Sequence, residues 1–523
     1  MNRPIRTPKN KSTPRVAVIG AGVGGLVAAL VLAARGAEVH VFERAPAVGG
    51  KMRRLMVGEA AIDGGPTVFT MRWVFEAIFA EAGTALASEL RLEPLDILAR
   101  HAWPDGTRLD LHADIRQSAD AIAAFAGRRE ARGYLDFVDR AKRLYDTLDG
   151  PFMRAHAPRM DHLLRTAGPK GLLTLARAAP SGTVWQALGR HFRDPRLRQL
   201  FGRYATYCGG SPFETTATLL LVAHVEQAGV WSVHGGMHAL AQVLARLAEA
   251  RGASITCQCG VDRIAVDGSG ISCVTLSSGE TVEVDAVICN SDVSALGAGL
   301  FGADVAHATK PVPADKRSLS ALTYALHAKA EGFPLIRHNV FFSGDYAREF
   351  SQILKSRRLP DDPTVYVCAQ DRNDSGVAPE DAAERLLVLV NAPADGDRGA
   401  FAPKEIAACT RTTFAHLARL GLRIEPNPAR MEITQPADWH RLYPASGGAL
   451  YGRAPHGTMA SFQRPGIRTS IPGLYLASGS GHPGPGVPMA ALSGQMAAHC
   501  LLEDLASTSI SPKAAMPGGM STG

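Results

Sequence analysis

Cysteine is scarce and scattered in this chain of 523 residues, which contains eight. The closest pair, Cys257 and Cys259, lies in SITCQCGV, whose alternation predicts a strand with both thiols on one face. No second pair of ligands lies nearby, which argues against zinc, and we expect no metal site. Nothing resembles the disulfide framework of a secreted protein. We therefore expect reduced thiols and a cytoplasmic location.

Long uncharged runs are also rare. The run that stands out is VAVIGAGVGGLVAALVLAA, residues 16–34, which follows a basic N-terminal stretch. Its length alone would suit a signal sequence or a membrane span. Its cluster of glycines disfavours one continuous helix. No later segment is a credible span, so we expect a protein without membrane-crossing helices.

The residues around this run predict a dinucleotide-binding β-α-β unit. RVAVIG reads as a buried strand, Gly20 to Gly25 fit the pattern G-x-G-x-x-G, and LVAALVLAARG reads as a helix. AEVHVFE then reads as a second strand that ends at Glu43, an acid placed to bind a ribose. Gly22 would let the backbone approach a pyrophosphate at the helix N-terminus, and Gly25 would let helix and strand pack closely.

Two paired-glycine segments follow this unit. GGK, with Gly50 and Lys51, combines flexible backbone with a cation that can neutralise pyrophosphate charge. DGGPTVF contains Gly65 and Pro66. Taken alone, a surface turn with a solvated lysine would explain the first segment as well.

A third glycine-rich stretch lies near the C-terminus. IPGLYLASGSGHPGPGVPMAALSGQ predicts a short strand, a thin loop and a helix that starts near Pro488. The loop has little side-chain bulk, which favours a flat ligand lying against it. The backbone N–H groups of Val487 and Met489 lie at the positive end of the predicted helix. They would favour the reduced, anionic form of the ring of such a ligand.

In order along the chain, the motifs resemble those of the phytoene desaturase family of bacterial carotenoid biosynthesis, within the flavin amine oxidase superfamily. They are VAVIGAGVGGLVAALVLAARGAEVHVFE, GGKMR, DGGPTVF, GVWSVHGGM, HNVFFSGDY and LYLASGSGHPGPGVPMAALSG. The variants GVWSVHGGM and SGHPGPGVPM look most like the hydroxycarotenoid 3,4-desaturase branch (methoxyneurosporene dehydrogenases). Commoner members of the family have other residues in these two blocks, often Thr before HPG.

The resemblance implies a discontinuous α/β Rossmann-like domain that binds FAD. It also places the backbone of Val261 beside the adenine and puts Ser291 at a strand end near the cofactor. The residues assigned to FAD on these grounds are Gly20, Gly22, Gly24, Gly25, Glu43, Arg44, Gly50, Lys51, Gly65, Pro66, Val261, Ser291, Gly479, Val487, Pro488 and Met489.

The implied reaction is dehydrogenation of an acyclic 1-hydroxy or 1-methoxy carotenoid. A hydride passes from an allylic carbon to the flavin and a 3,4 double bond forms. No Ser-His-Asp set, metal cluster or P-loop is evident, in agreement with a cofactor that carries the difficult step. The catalytic base is left open, with His338 and His482 as candidates, although a lone histidine is more often structural.

Three alternatives remain open. One is a phytoene desaturase or another carotenoid or retinoid oxidoreductase of the same family. Another is a soluble flavin amine oxidase, which needs an aromatic cage; aromatic residues make up 6% of the chain and no pair of them lies near the C-terminal loop. The third is a non-enzymatic carrier of pigment or lipid.

An oily substrate predicts membrane contact, and residues 154–203 are the candidate surface. They contain ten Lys or Arg and two Asp, interleaved with leucine pairs, and Trp185, Phe192 and Phe201 would reach the lipid interface. We expect peripheral binding to anionic lipid at the inner membrane surface. A substrate-domain helix with solvated arginines is the other explanation. Nucleic acid is not expected as a partner, and the sequence does not indicate an oligomeric state.

The expected domains are discontinuous. The FAD-binding domain takes residues 14–115, 228–300 and 466–505. A mixed α+β substrate domain with a helical, membrane-facing part takes residues 116–227 and 301–465. Residues 1–13 and 506–523 are expected to be flexible tails. PADWHRLYPASGGALYGRAP would line the site near Tyr451.

Overall fold

The computed structural model describes residues 13–161, 163, 165, 166, 168, 182–374, 376, 377 and 383–510, with side chains up to residue 507. Nearly all of the predicted tails, and part of the basic segment 154–203, lie outside the described residues. Residues 506–510, expected in the C-terminal tail, instead continue the last helix.

Strands and helices are numbered in chain order. The strands are β1 Arg15–Ile19, β2 Glu38–Phe42, β3 Arg54–Val57, β4 Ala60–Asp63, β5 Leu92–Pro94, β6 Ile97–Ala102, β7 Arg108–His112, β8 Trp231–Val233, β9 Ser254–Thr256, β10 Val261–Asp267, β11 Gly270–Leu276, β12 Thr281–Glu283, β13 Ala286–Cys289, β14 Ser320–Ala328, β15 Ala330–Glu331, β16 His338–Phe341, β17 Val365–Ala369, β18 Glu384–Ala392, β19 Arg423–Ile424, β20 Met431–Thr434 and β21 Leu474–Leu476. The α-helices are α1 Val23–Ala34, α2 Arg72–Glu81, α3 Leu86–Glu89, α4 Ile115–Ala126, α5 Arg128–Leu148, α6 Val184–Leu188, α7 Pro195–Gly202, α8 Val222–Gln227, α9 Met237–Ala250, α10 Val293–Gly297, α11 Ala303–Ala306, α12 Tyr346–Leu354, α13 Pro403–Arg419, α14 Pro436–Leu442 and α15 Val487–Ile510.

A five-stranded parallel sheet contains the predicted β-α-β unit. Its strand order is β21-β13-β1-β2-β9, and Val16 pairs with Ala286 on one side and Val39 on the other. Eleven of the twelve residues of α1 are buried. A helix buried all round needs apolar residues on every face. The uncharged run 16–34 is therefore a core strand and a core helix.

Among the described residues, none of the helices combines the length and apolar character that crossing a bilayer requires.

A seven-stranded mixed sheet forms the second layer, in the order β20-β14-β18-β17-β16-β6-β7. β6 pairs with β16 in parallel, whereas the other neighbours are antiparallel. β6 and β7 lie within the range 14–115 assigned to FAD, yet they complete this second sheet, because β6 pairs with β16 from far along the chain.

The helices α4 to α7 pack against one face of the seven-stranded sheet around a large aromatic core. Phe192 and Phe201 are 0% and 1% exposed in this core, and their rings stack 4.9 Å apart. Trp185 is half-buried, with its ring 4.7 Å from that of Phe213. The expectation that these three aromatic residues reach a lipid interface is therefore wrong, because they fill the space between helices.

The strand, loop and helix predicted for the C-terminal stretch are confirmed, and Pro488 is the second residue of α15. One strand prediction is wrong. Cys257 and Cys259 lie between β9 and β10, where Gln258 has a φ of +56° that no continuous strand allows.

Candidate functional site

The turn after β1 is built from backbone alone. Gly20 has a φ of +98°, which favours glycine. A Cβ on Gly24 would lie 2.6 Å from the carbonyl oxygen of Ala477 and 2.9 Å from that of Ala490. Ala477 follows β21 and Ala490 lies in the first turn of α15. The N-terminal and C-terminal glycine-rich segments, distant in sequence, therefore meet in space.

No side chain caps the N-terminus of α1. The first N–H groups of a helix have no partner inside the helix and attract anions. Gly22, Val23 and Gly24 line the large cavity described below, so these donors lie at its wall. Asn290 braces the turn: its Nδ2 donates to the carbonyl of Ala477, and its Oδ1 would lie 2.6 Å from a Cβ on Gly22.

The polar residues after β2 all have partners within the protein. The Glu43 carboxylate accepts hydrogen bonds from the backbone N–H groups of Ala21 and Ala45, both at 2.7 Å. The Arg44 guanidinium donates to the carbonyl of Leu442 at 2.6 Å. The Lys51 Nζ donates to the carbonyl of Leu450 at 2.5 Å, and burial lowers its pKa. Two further donors of this ammonium group remain for a ligand.

The segments 49–51 and 64–66 cross at very short range. The backbone N–H of Gly49 donates to the carbonyl of Ala21 at 2.8 Å. A Cβ on Gly65 would lie 1.8 Å from the carbonyl oxygen of Lys51. Only glycine fits at residue 65 unless the backbone moves.

These segments surround one end of a cavity of about 1360 Å³. This volume exceeds that of a typical site for a single small molecule, which is about 300–1,000 Å³. Another part of the lining is apolar and contains Leu148, Phe152, Met153, Leu163 and Phe462, which form one cluster with Met489. The space is suited to an extended dinucleotide together with a long hydrophobic molecule.

Most of the site residues predicted from sequence line this cavity. They are Gly20, Gly22, Gly24, Glu43, Arg44, Gly50, Lys51, Gly65, Pro66, His338, Gly479, Val487, Pro488 and Met489, and the predicted Tyr451 lines it as well.

Four predicted site residues lie outside the lining. Gly25 faces β1, since its Cβ would lie 2.1 Å from the carbonyl oxygen of Gly20, as the packing role predicted for it requires. Val261 is buried at the start of β10, and the Ser291 hydroxyl lies 3.1 Å from the Cys289 sulfur. The residues on either side of Ser291, Asn290 and Asp292, line the cavity instead.

His482 is the fourth residue outside the lining. Its Nε2 lies 2.8 Å from the carbonyl oxygen of Ala155, and its ring meets that of Phe152 edge-on at 5.1 Å. Burial lowers its pKa to about 4. His482 therefore connects the C-terminal loop to residues 149–155.

A buried arginine that no motif indicated supports the C-terminal loop. Arg464 donates to the carbonyls of Gly479 and Ser480 at 3.3 and 3.1 Å, and to those of Tyr451 and Arg453 at 3.0 and 2.7 Å. Burial lowers its pKa to about 10, so it remains a cation at neutral pH.

The cavity wall contains a second group of polar residues, of which the sequence indicated only His338. We call Arg203, Tyr207, Glu226, His338 and Tyr366 the Arg203 cluster; all five line the cavity. Arg203 follows α7, Glu226 lies on α8, and His338 and Tyr366 lie on β16 and β17. No local pattern joins these segments, and only the fold brings them together.

The contacts within the Arg203 cluster are specific. The guanidinium carbon of Arg203 lies 5.2 Å from the ring centres of both Tyr207 and Tyr366, which is cation–π distance. Arg203 Nη1 donates to the Tyr207 hydroxyl at 3.0 Å, and that hydroxyl donates to Glu226 at 3.0 Å. The Tyr366 hydroxyl lies 2.7 Å from Nδ1 of His338.

His338 is 3% exposed, and its Nε2 has no hydrogen-bond partner. Burial and the charges of Arg337 and Arg203 lower its pKa to about 3. The ring is therefore neutral at physiological pH.

The parallel sheet, the uncapped helix at its edge and the glycine-lined cavity define a nucleotide-dependent oxidoreductase of the α/β class. Residues 23–502 match the family described as flavin containing amine oxidoreductase. The chain belongs to this family, and its cofactor is a flavin, FAD.

Two relatives extend over almost the whole chain. A hydroxyneurosporene desaturase from Rubrivivax gelatinosus is 52% identical over 524 residues, covering 100% of this chain and 98% of the relative. One from Cereibacter sphaeroides is 45% identical over 499 residues, covering 95% and 99%. The predicted resemblance to the carotenoid desaturase family is confirmed.

Solved structures agree in fold. An oxidoreductase from Methanosarcina mazei aligns with a TM-score of 0.60 at 15% identity, covering 92% of this chain and 99% of that protein. A triple mutant of putrescine oxidase aligns with a TM-score of 0.60 at 17% identity, covering 95% and 99%. The chain has the α/β fold of flavin amine oxidases with mixed sheets.

Proposed function

We propose that this chain is an FAD-dependent desaturase that introduces the 3,4 double bond into an acyclic carotenoid with a hydroxyl or methoxyl group at C1. The observation that carries the proposal is the continuous cavity. It joins a glycine-lined nucleotide site to a long apolar space, in a chain 52% identical to a hydroxyneurosporene desaturase.

The residues present fit FAD. The uncapped N-terminus of α1 at Gly22 offers N–H donors to a pyrophosphate. Glu43 retains acceptor capacity for a ribose, because its two known bonds leave lone pairs free. The other cavity-lining residues proposed to hold the cofactor are Gly20, Gly24, Arg44, Gly50, Lys51, Gly65, Pro66, Gly479, Val487, Pro488 and Met489.

FAD supplies a two-electron acceptor for a hydride when it is bound. The chain contributes binding, orientation and exclusion of water, since the apolar end of the cavity would hold the polyene against one position. Of the two candidate bases, His338 lines the cavity and His482 does not. The low pKa of His338 makes it a poor acceptor of a proton at neutral pH.

An amine oxidase is the less favoured activity. Tyrosines distant in sequence, Tyr207 and Tyr366, do converge in the cavity, although no aromatic pair was evident near the C-terminal loop. The space between their rings, however, holds the guanidinium of Arg203. A cationic amine would be repelled by this charge, whereas a neutral polyene would not.

We further propose that the seven-stranded sheet and the helices α4 to α8 form a substrate domain, inserted as residues 116–227 and 301–465 and extended by β6 and β7. FAD would be bound by the remaining parts of 14–115 with 228–300 and 466–505. The pairing of β6 with β16 supports the extension.

We also propose peripheral binding to anionic lipid at the inner membrane surface, on a surface that includes the described exposed residues of the basic segment 154–203. Met160 and Met459 support this proposal. They are 36% and 46% exposed and also line the cavity, so they mark a place where the apolar space reaches the surface. A substrate dissolved in lipid would enter there.

The test is anaerobic mixing of purified holoenzyme with liposomes that contain 1-hydroxylated acyclic carotenoids. We expect loss of the oxidised-flavin absorbance together with a longer-wavelength pigment spectrum. A chain that binds FAD but leaves both spectra unchanged with every acyclic carotenoid supplied would contradict the proposal. Pigment binding without flavin bleaching would instead indicate a carrier.

A further inference from the structure

One part of the cavity wall is apolar, another is formed by glycine-lined backbone, and the Arg203 cluster is a third, polar part of the same wall. Burying a cation and several hydroxyl groups beside a hydrocarbon substrate is unfavourable unless a polar ligand group compensates for it. The cluster is therefore the part of the substrate site that a pure hydrocarbon does not explain.

We propose that Arg203 and His338, the latter oriented by the Tyr366 hydroxyl, bind the oxygen atom at the C1 end of the acyclic substrate and so determine which carotenoids react. The inference rests on the proposed desaturase function and deepens it. It identifies the residues that distinguish a 1-hydroxylated or 1-methoxylated chain from a hydrocarbon chain.

The cluster offers donors that the protein does not use. An arginine carries five N–H donors, and the side-chain acceptor assigned to Arg203 is the Tyr207 hydroxyl. No carboxylate among the described residues lies within ion-pair distance of Arg203. His338 Nε2 is buried without a partner at the cavity wall.

Glu226 orients the Tyr207 hydroxyl and leaves the proposed position of the substrate oxygen free. Its carboxylate accepts from the hydroxyls of Tyr204 and Tyr207. The Tyr207 hydroxyl proton is therefore directed to Glu226, and its oxygen accepts from Arg203. The remaining guanidinium donors suit an oxygen that accepts, and hydroxyl and methoxyl oxygens both do so.

The position of the cluster agrees with the position of the proposed reaction. With covalent bonds of about 1.5 Å, the oxygen on C1 lies only about 4–5 Å from C3 and C4. The oxygen must therefore bind close to the flavin ring. The Tyr366 hydroxyl lies 2.6 Å from that of Thr67, which directly follows the proposed cofactor residues Gly65 and Pro66.

This arrangement also predicts the direction in which the substrate lies. The oxygenated end meets the Arg203 cluster, and the polyene extends along the apolar lining towards Phe152, Leu163 and Phe462. A chain without the oxygen would leave the donors unpaired. A site built for a hydroxyl can reject an analogue that lacks it by factors on the order of 10⁴.

The test compares the variants Tyr366→Phe and Arg203→Met with the unmodified holoenzyme. The readout is kcat/KM in liposomes for a 1-hydroxylated acyclic carotenoid and for its counterpart without the hydroxyl. Tyr324→Phe is the matched control. Tyr324 is a buried tyrosine of the same sheet whose hydroxyl accepts from Thr410, and it does not line the cavity.

We expect the unmodified enzyme to prefer the hydroxylated substrate by about 100-fold or more. Arg203→Met should reduce this preference at least tenfold, Tyr366→Phe should reduce it less, and Tyr324→Phe should preserve it. All variants should retain the flavin absorbance. The conservative Tyr366→Phe keeps the test decisive if Arg203→Met does not fold.

Equal turnover of both substrates by the unmodified enzyme would overturn the inference and leave the desaturase function standing. An unchanged preference in both variants would overturn it as well, as would an equal loss with both substrates. Failure of the unmodified holoenzyme to oxidise either carotenoid would reject the proposed function itself, and this inference with it.

Discussion

The two polar regions of the cavity are built in opposite ways. Around Gly22, Gly24 and Gly65, side chains are absent and backbone atoms approach one another closely. Around Arg203, side chains from four separate segments meet, and their hydrogen bonds and ring contacts define the site. The glycine-lined region has no room for additional atoms, whereas the Arg203 cluster depends on the side chains that it contains.

The difference explains what each region can recognise. Backbone N–H groups at a helix end suit a phosphate group, and related dinucleotide cofactors all carry the same phosphates. A side-chain cluster can be changed residue by residue without moving the backbone. Under the two proposals above, the glycine-lined region would bind the cofactor and the Arg203 cluster would determine the choice of substrate.

Adding one methyl group to the glycine-lined region should have the largest effect. In Gly65→Ala, the new Cβ would lie 1.8 Å from the Lys51 carbonyl oxygen, so the backbone must move. We expect destabilisation of about 3 kcal/mol or more and loss of bound FAD. Flavin absorbance per protein and thermal unfolding measure these effects.

The matched control for this change is Gly268→Ala. Gly268 is exposed in a turn, and a Cβ there would meet no atom within 4 Å. It should retain FAD and unfold at the same temperature as the unmodified chain. If Gly65→Ala also retained its flavin, the close crossing of residues 49–51 and 64–66 would not be required for cofactor binding.

The same contrast explains how far the sequence could be interpreted. Gly20, Glu43, Gly65 and the loop before Pro488 carry local patterns, because each forms a turn or a helix end from neighbouring residues. Their arrangement around one cavity follows from the parallel sheet. The β-α-β unit, the C-terminal strand and helix, and the presence of these glycine-rich segments at one cavity were therefore predictable.

His338 was named from the sequence, but the Arg203 cluster as a group was not predictable, because its residues lie on α8, β16, β17 and the turn after α7. Their proximity depends on strand order in the seven-stranded sheet, in which β6 joins β16. For the same reason the sequence did not indicate that β6 and β7 belong to this sheet, and Phe192 and Phe201 were expected at a membrane. Basic and apolar alternation does not distinguish a lipid-facing helix from one that packs on a sheet.

The proposed entrance should give an intermediate effect. Met160 and Met459 line the cavity where it opens, and a charge there would oppose contact with hydrocarbon. The double variant Met160→Asp with Met459→Asp should bind anionic vesicles about tenfold more weakly. Vesicle flotation measures this, and bound FAD should be unaffected, because the change lies away from the glycine-lined region.

Met56→Asp is the control for the vesicle experiment. Met56 is 65% exposed but does not line the cavity, so its replacement should leave flotation unchanged. Equal losses in the control and the double variant would indicate a general charge effect. Unchanged flotation in both would remove the support that these two methionines give to the proposed docking face.

The smallest effect concerns pH and should come from the side-chain-built part of the molecule. Glu349 on α12 is 1% exposed; its Oε2 accepts from Ser343 and Thr364, while its Oε1 has no partner. Burial raises its pKa to about 7. The folded state therefore holds a proton that the unfolded chain releases near its ordinary pKa of 4.5. This contribution to stability is present at acidic pH and is lost as the pH rises towards 7 and above.

Glu349→Gln mimics the protonated carboxyl group, so its advantage over the unmodified chain should grow with pH. Between pH 5 and pH 8, we expect the difference in unfolding free energy to shift in favour of the variant by on the order of 1–2 kcal/mol. Urea unfolding at both pH values measures it, with Glu76→Gln as a control that removes an exposed, Arg72-paired carboxylate. A pH-independent difference would mean that Glu349 is already ionised in the folded protein. The hydrogen bonds from Ser343 and Thr364 would then outweigh the effect of burial on its pKa. The part of the molecule built from side chains would tolerate a buried charge, which the comparison with the glycine-lined region does not predict.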